Sequence, residues 1–172
     1  IRRRRELEKS RHSCIQSGIY AGEELITFSE TELFDGTVKI FLPETFTDMP
    51  DEIRNVKYSG TNSPSVIKMK EGGEIAFSFQ MIEKSIDDSN LEEMLKKFQG
   101  ILKKSQPTSI LLDKGIEERN HKGIAWMDYK GYGIDQPLYQ QLFIVPVREK
   151  MMLGMFHCPF DKSDAWKPVV KE

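Results

Sequence analysis

Thr108 to Glu118 (TSILLDKGIEE), Gly123 to Tyr132 (GIAWMDYKGY), Leu138 to Val147 (LYQQLFIVPV) and Met151 to Cys158 (MMLGMFHC) are four apolar-rich runs separated by short polar gaps. Runs of this length, rich in β-branched and aromatic residues and bounded by turn formers, read as strands. The gaps are Asn120-His121-Lys122, Gly133-Ile134-Asp135-Gln136-Pro137 and Arg148-Glu149-Lys150. They are too short for the crossover that a parallel pair needs, so neighbouring strands are antiparallel. A four-stranded antiparallel meander is therefore predicted. Pro146 offers no ladder donor and marks an edge or a bulge within its strand.

Ahead of the meander lies the clearest helix, predicted from about Leu91 to Lys104. Leu91, Met94, Leu95, Phe98 and Leu102 recur at three- and four-residue steps and make one apolar stripe that packs on a sheet, with Phe98 as a central core residue. Ser89 and Glu92 have capping-box spacing. Glu92 and Glu93 stand at the positive end of the helix dipole, and Lys103 and Lys104 at the negative end. Before it, in Glu74 to Glu83, Ile75, Phe77, Phe79 and Met81 alternate with Ala76, Ser78, Gln80 and Ile82, the period of a strand with one strongly buried face.

Further upstream, Ser65 to Lys70 reads as a strand after a loop over Ser59 to Pro64, and Asp48 to Tyr58 as a short helix with Asp48 as its cap and Pro50 in its first turn. Asp35-Gly36 tolerates the positive φ of a tight turn and predicts a hairpin within Leu33 to Leu42, and Leu25 to Phe28 reads as a short strand. Residues 1–22 show no helical stripe and are expected to be a basic, flexible arm, with residues 23–172 as a single domain. Asp161 to Glu172 begins a last helix in which Pro168 suits only the first turn, and which is expected to be cut short.

A chain of 172 residues with 38% hydrophobic and 30% charged residues suits one core and lies well above the apolar poverty of disordered chains. The longest apolar run, Leu142 to Val147, is far below the roughly 20 residues that cross a bilayer. No signal-peptide pattern is visible. Cys14 and Cys158 lie in unlike surroundings, which predicts no disulfide framework and suits the cytoplasm, with an exported or membrane-anchored form as the alternative. Residues 1–12 carry six basic and two acidic residues, so an arm of +4 precedes a body of −6 within the net −2. An acidic body excludes a nucleic-acid partner, which needs a basic face. The run Arg2 to Arg5 suits a solvated tail, or a segment drawn to anionic lipid if an anchor lies upstream of Ile1.

The order of elements resembles the PsbP-like family, which includes the Ran-binding Mog proteins and the bacterial DcrB-like proteins. The residues that carry the resemblance are the hairpin ending in Val38 to Phe46, Lys57-Tyr58 leading through Ser63-Pro64 into a strand, the mid-chain helix, the meander, and Met155 to Cys158 followed by Trp166-Lys167-Pro168. The resemblance covers about Glu32 to Glu172. It implies an α+β fold, an antiparallel β-sheet with helices packed on both faces, and a protein that binds other proteins without catalysis.

The side chains that usually carry chemistry favour structural readings. His157 and Cys158 are strand neighbours pointing to opposite faces, poorly placed for one metal, and His121 lies in a turn. His12 and Cys14 share the basic arm, where positive charge would lower the thiol pKa. Asp87-Asp88 and Glu92-Glu93 suit a helix start better than acid–base work. No phosphate loop, nucleophile elbow or zinc-ligand spacing appears. No catalytic, metal or cofactor-binding residue is therefore assigned. Trp126, Tyr129, Tyr132 and Tyr139 crowd the meander, with Trp126 and Tyr129 on opposite sides of the sheet; they read first as rings packed under helices on both faces, with one side as the candidate interaction surface. The reading is a non-catalytic binding or adaptor domain of bacterial type with a protein partner, no enzyme and no cofactor. The alternative is a small-ligand-binding domain or enzyme with a cleft between sheet and helix.

Overall fold

The computed structural model describes residues 2–60 and 63–172. Ile1 of the expected arm, and Thr61 and Asn62 of the expected loop, lie outside the described residues. The elements are α1 (Arg2–Ser10), β1 (Ser13–Cys14), β2 (Gly18–Ala21), β3 (Glu24–Ile26), β4 (Phe28–Leu33), β5 (Val38–Pro43), β6 (Thr47–Asp48), α2 (Asp51–Lys57) and β7 (Val66–Met69), then β8 (Ala76–Ile82), α3 (Leu91–Ser105), β9 (Ile110–Arg119), β10 (Lys122–Tyr132), β11 (Pro137–Val147), β12 (Lys150–Pro159) and α4 (Ser163–Val170). They divide into two compact units. One is the chain up to Phe46 together with Asp161–Glu172; the other is Thr47–Phe160.

The Thr47–Phe160 unit holds a seven-stranded sheet of order β6-β7-β8-β12-β11-β10-β9, antiparallel throughout. The predicted meander is its larger half, with strand limits close to those read from the sequence. The α+β class expected from the sequence is the class observed. Residues opposite each other in a ladder share a face, so register sorts the side chains. One face carries Ile67 and Met69 of β7, Met151 of β12, Leu142 and Ile144 of β11, and Ala125, Met127 and Tyr129 of β10. The α3 stripe of Leu91, Met94, Leu95 and Leu102 packs on the β10–β12 part of this face, each such side chain contributing about 1.5–3 kcal/mol by burial. Ile53 of α2 and Tyr58 pack on the β7 part. The other face is aromatic: Phe77 and Phe156 stand 4.8 Å apart by ring centroid, and Phe79 and Phe143 6.1 Å. Gly154 makes that layer fit, because a Cβ there would fall 2.0 Å from the Phe143 ring.

In the other unit, β1, β2 and β3 form a small sheet and β4 pairs with β5. Ile19 and Ala21 of β2 are buried, as are Trp166 and Val169 of α4, and α4 lies against β2. Phe46 and Trp166 stand 5.8 Å apart.

Several local expectations are corrected. Residues 13–21 belong to a packed sheet, and the chain does not divide after residue 22. Ile19 and Ala21 are spaced for a strand, so a search for helical spacing passes over them. Asp48 lies in β6, paired with Lys68 at 2.8 Å, and α2 starts after Pro50 without a side-chain cap. The cap ahead of α3 is Asp87, whose Oδ1 accepts from Ser89 N at 2.8 Å while Asp87 N donates to Asn90, because a 3₁₀ turn precedes the helix. In β8 both faces are buried from Ala76 to Phe79. Pro168 lies inside α4, where the buried Trp166 and Val169, with Ser163 also buried, hold the helix despite the missing donor. Pro146 is paired with Met151 of β12 and stands where β11 runs past its pairing with β10, which ends at Ile144, so on the β10 side its lack of an N–H removes no ladder bond.

Candidate functional site

The aromatic face of β9, β10 and β11 carries Trp126, Asp128, Lys130 and Tyr132 in one row along β10, since alternate residues share a face. Trp126 is half-buried and lies across Gly115 of β9, where a Cβ would meet the indole at 3.1 Å. Its Nε1 donates to Glu117 Oε1 at 3.2 Å. Asp128 is buried, and its Oδ2 accepts from the Tyr139 hydroxyl at 2.9 Å, with Gln141 Oε1 3.2 Å from the same hydroxyl. Asp128 Oδ1 is buried with no hydrogen-bond partner among the described residues. Burial first, then the Asp128 charge, drives the Tyr139 phenol pKa upward and keeps it protonated.

Lys130 stands 4.6 Å from the Phe160 ring centroid and 5.7 Å from that of Tyr132, so its ammonium lies between two aromatic faces. Beyond it Tyr132 is 53% exposed, and Ile134 in the β10–β11 loop is fully exposed. Ile110, opposite Lys130 in the ladder, is 51% exposed. Leu112 is also exposed, turned out by a bulge in which Asp128 pairs with Asp113 but Tyr129 with Leu111. The result is an apolar patch with one cationic centre at a single end of the sheet.

Of the four aromatics expected at an interaction surface, Trp126 and Tyr132 reach solvent on one face. Tyr129 and Tyr139 are 1% and 0% exposed and belong to the core, Tyr129 on the α3 side with its phenol pushed up to about 12 by burial. Ile110, Leu112, Lys130 and Ile134 complete the patch and escape a reading of aromatics alone. Two signals for them exist in the sequence: Ile110-Leu111-Leu112 cannot all face one side of a strand, and Ile134 sits in a turn.

The histidines and cysteines stand apart. His157 faces the α2 side and Cys158 the aromatic side. Burial first and the Lys57 ammonium second lower the His157 pKa to about 4. His121 is exposed in the β9–β10 turn. Cys14 is a free thiol whose pKa is lowered chiefly by hydrogen bonds from Ser17, its hydroxyl 3.3 Å away, and not by the neighbouring basic charge. No group of His, Cys, Asp or Glu is arranged to hold a metal among the described residues. Asp87 and Asp88 serve the turn before α3, Asp88 Oδ1 accepting from Gly123 N at 3.1 Å. Glu92 and Glu93 pair with Lys96 and Lys97 one turn on. An open groove of about 460 Å³ lies in the unit that contains the N-terminal residues, lined by Lys9, His12, Tyr20, Pro168 and Lys171 among others. Lys9 there is engaged by Gly22 O at 2.7 Å and Glu23 Oε1 at 2.8 Å.

No described helix is long and apolar enough to cross a membrane. No family model and no curated protein sequence matches the chain. Solved structures do. Cyanobacterial PsbP (CyanoP) from Synechocystis sp. PCC 6803 superposes with a TM-score of 0.59 at 12% identity, over 86% of this chain and 89% of that one. LpqN, involved in cell envelope biogenesis of Mycobacterium tuberculosis, gives 0.50 at 10% identity over 88% and 84%. PA94 from Pseudomonas aeruginosa, a protein of unknown function described as a putative regulator, gives 0.47 at 10% over 84% and 91%. At such identities the likeness concerns architecture, and the chain has the PsbP-like fold.

Proposed function

We propose that the chain is a non-catalytic binding module that engages another protein through the sheet end formed by Ile110, Leu112, Lys130, Tyr132 and Ile134. The observation that carries this reading is the concentration of exposed large apolar side chains at that end. The other exposed large apolar side chains among the described residues, Leu7, Leu25, Phe41, Val56, Ile101 and Ile116, are spread over six elements, as surface apolar residues commonly are. Exposed apolar side chains gathered at one sheet end, a tyrosine among them, suit a protein-binding surface. Trp126, half-buried beside Glu117, stands at its margin. The partner is expected to present apolar side chains and, for Lys130, an acidic one. Tyr132→Ala combined with Ile134→Asp is expected to abolish crosslinking to that partner while leaving thermal unfolding unchanged.

The groove beside β2 and α4 favours a second reading, a small-ligand site between sheet and helix. Thermal-shift titration with simple carboxylates and phosphates separates the two: the first reading expects no shift. For the compartment, two free cysteines support the cytoplasm. The fold shared with LpqN, named for cell envelope biogenesis, supports the exported alternative.

A further inference from the structure

We propose that two copies of the chain pair edge to edge through β9, joining their seven-stranded sheets into one. β9 ends the sheet, with β10 on one side only, so half of its backbone N–H and C=O groups face away from any sheet neighbour. The opposite edge, β6, is two residues long and offers no comparable template.

The usable length of β9 is bounded at both ends. The bulge at Leu112 interrupts its regular ladder on one side, and the Asn120–His121 turn, with positive φ at both residues, ends it on the other. The regular segment is therefore Asp113 to Arg119, and its midpoint is Ile116. A two-fold axis at Ile116 sets the pairs in an antiparallel contact. Lys114 meets Glu118 of the second copy, Asp113 meets Arg119, Gly115 meets Glu117, and Ile116 meets itself. Each pair occurs twice, apart from Ile116 on the axis, giving four pairs of opposite charge and none of like charge. Shifting the axis to Gly115 sets Asp113 against Glu117, and shifting it to Lys114 or Glu117 sets that residue against itself.

Ile116, the apolar side chain on the axis, is 48% exposed in the single chain. Whichever alternate set of β9 backbone groups points outward is symmetric about residue 116, so the ladder closes in either case. Lys114 now donates to Gln99 at 2.9 Å and Arg119 lies 3.4 Å from Glu117. Both are exposed contacts that exchange for intermolecular ones at little cost. Charged side chains on an edge ordinarily repel stray strands; here their order repels the shifted registers and admits one. The partner patch at Ile110, Tyr132 and Ile134 lies at the other end of the strand, so this pairing does not rest on it.

Light scattering during gel filtration tests the pairing. The chain of 19.9 kDa is expected to appear at twice that mass over a concentration series. Lys114→Glu and Glu118→Lys, each checked for folding by circular dichroism, are expected to dissociate at least about tenfold more readily, because each sets like charges across the axis. An equimolar mixture of the two variants is expected to recover the doubled mass, since every cross-strand pair in the mixed assembly is again opposite in charge. Three results overturn the proposal: a parent chain at 19.9 kDa throughout, which leaves the edge to a strand of a different protein; single variants that assemble as the parent does; or a mixture that stays at 19.9 kDa.

Discussion

The Tyr139 hydroxyl donates a 2.9 Å hydrogen bond to Oδ2 of Asp128, which places a carboxylate inside the aromatic layer with its second oxygen unpartnered among the described residues. Such a group depends on the bonds it does make. Tyr139→Phe is expected to lower stability by about 1–3 kcal/mol in urea unfolding, because Asp128 then keeps its desolvation cost without its donor. Tyr139→Phe combined with Asp128→Leu is expected to cost less than the sum of the two single changes. Strict additivity contradicts the coupling.

Leu95 and Phe98 differ in a way that spacing does not reveal. Leu95 is buried on the α3 stripe, whereas Phe98 is only partly buried against the same cluster. Leu95→Ala is expected to cost about 2–5 kcal/mol and Phe98→Ala less than that, at most about 3 kcal/mol, with both read from denaturant midpoints. The reverse order assigns the centre of the helix–sheet contact to the wrong turn.

The antiparallel meander and α3 were legible because each repeats one signal over ten or more residues. What escaped depends on where a segment ends up in three dimensions. Ile19 and Ala21 are too few to announce a strand, yet α4, more than 140 residues away in the chain, lies against them. Tyr129, Tyr132 and Tyr139 are one residue type in one stretch, and only ladder register and end position make Tyr132 a surface residue and the others core. The PsbP-like fold was readable from element order; the signals that turn part of Ile110-Leu111-Leu112 and Ile134 outward do not say that these side chains meet at one end of the sheet.

The N-terminal segment is expected to stabilise the fold. Ile19→Ala should cost about 2–4 kcal/mol, and a chain beginning at Gly22 should melt more than about 5 °C lower. Unchanged melting of the shortened chain contradicts the packing of β2.

His157 makes stability fall on the acid side. Its pKa is lowered to about 4 in the fold, against roughly 6.5 when unfolded. Above the unfolded value it is neutral in both states and contributes no pH dependence. As pH falls from about 6.5 to about 4 the unfolded chain takes up the proton first, so stability drops, by up to about 3 kcal/mol. Urea midpoints measured across this window should decline less steeply for His157→Gln. An equally steep decline assigns the loss to other groups.

The partner-binding patch is tested most directly by a photoreactive amino acid placed in turn at Ile110, Tyr132 and Ile134, with Val56, exposed on α2, as the control position. The expected result is one discrete protein adduct shared by the three patch positions, absent from Val56, and lost from the Ile110 position when Ile134→Asp is added. No adduct at any of the three, or the same adduct at Val56, contradicts the assignment of this sheet end as the binding surface.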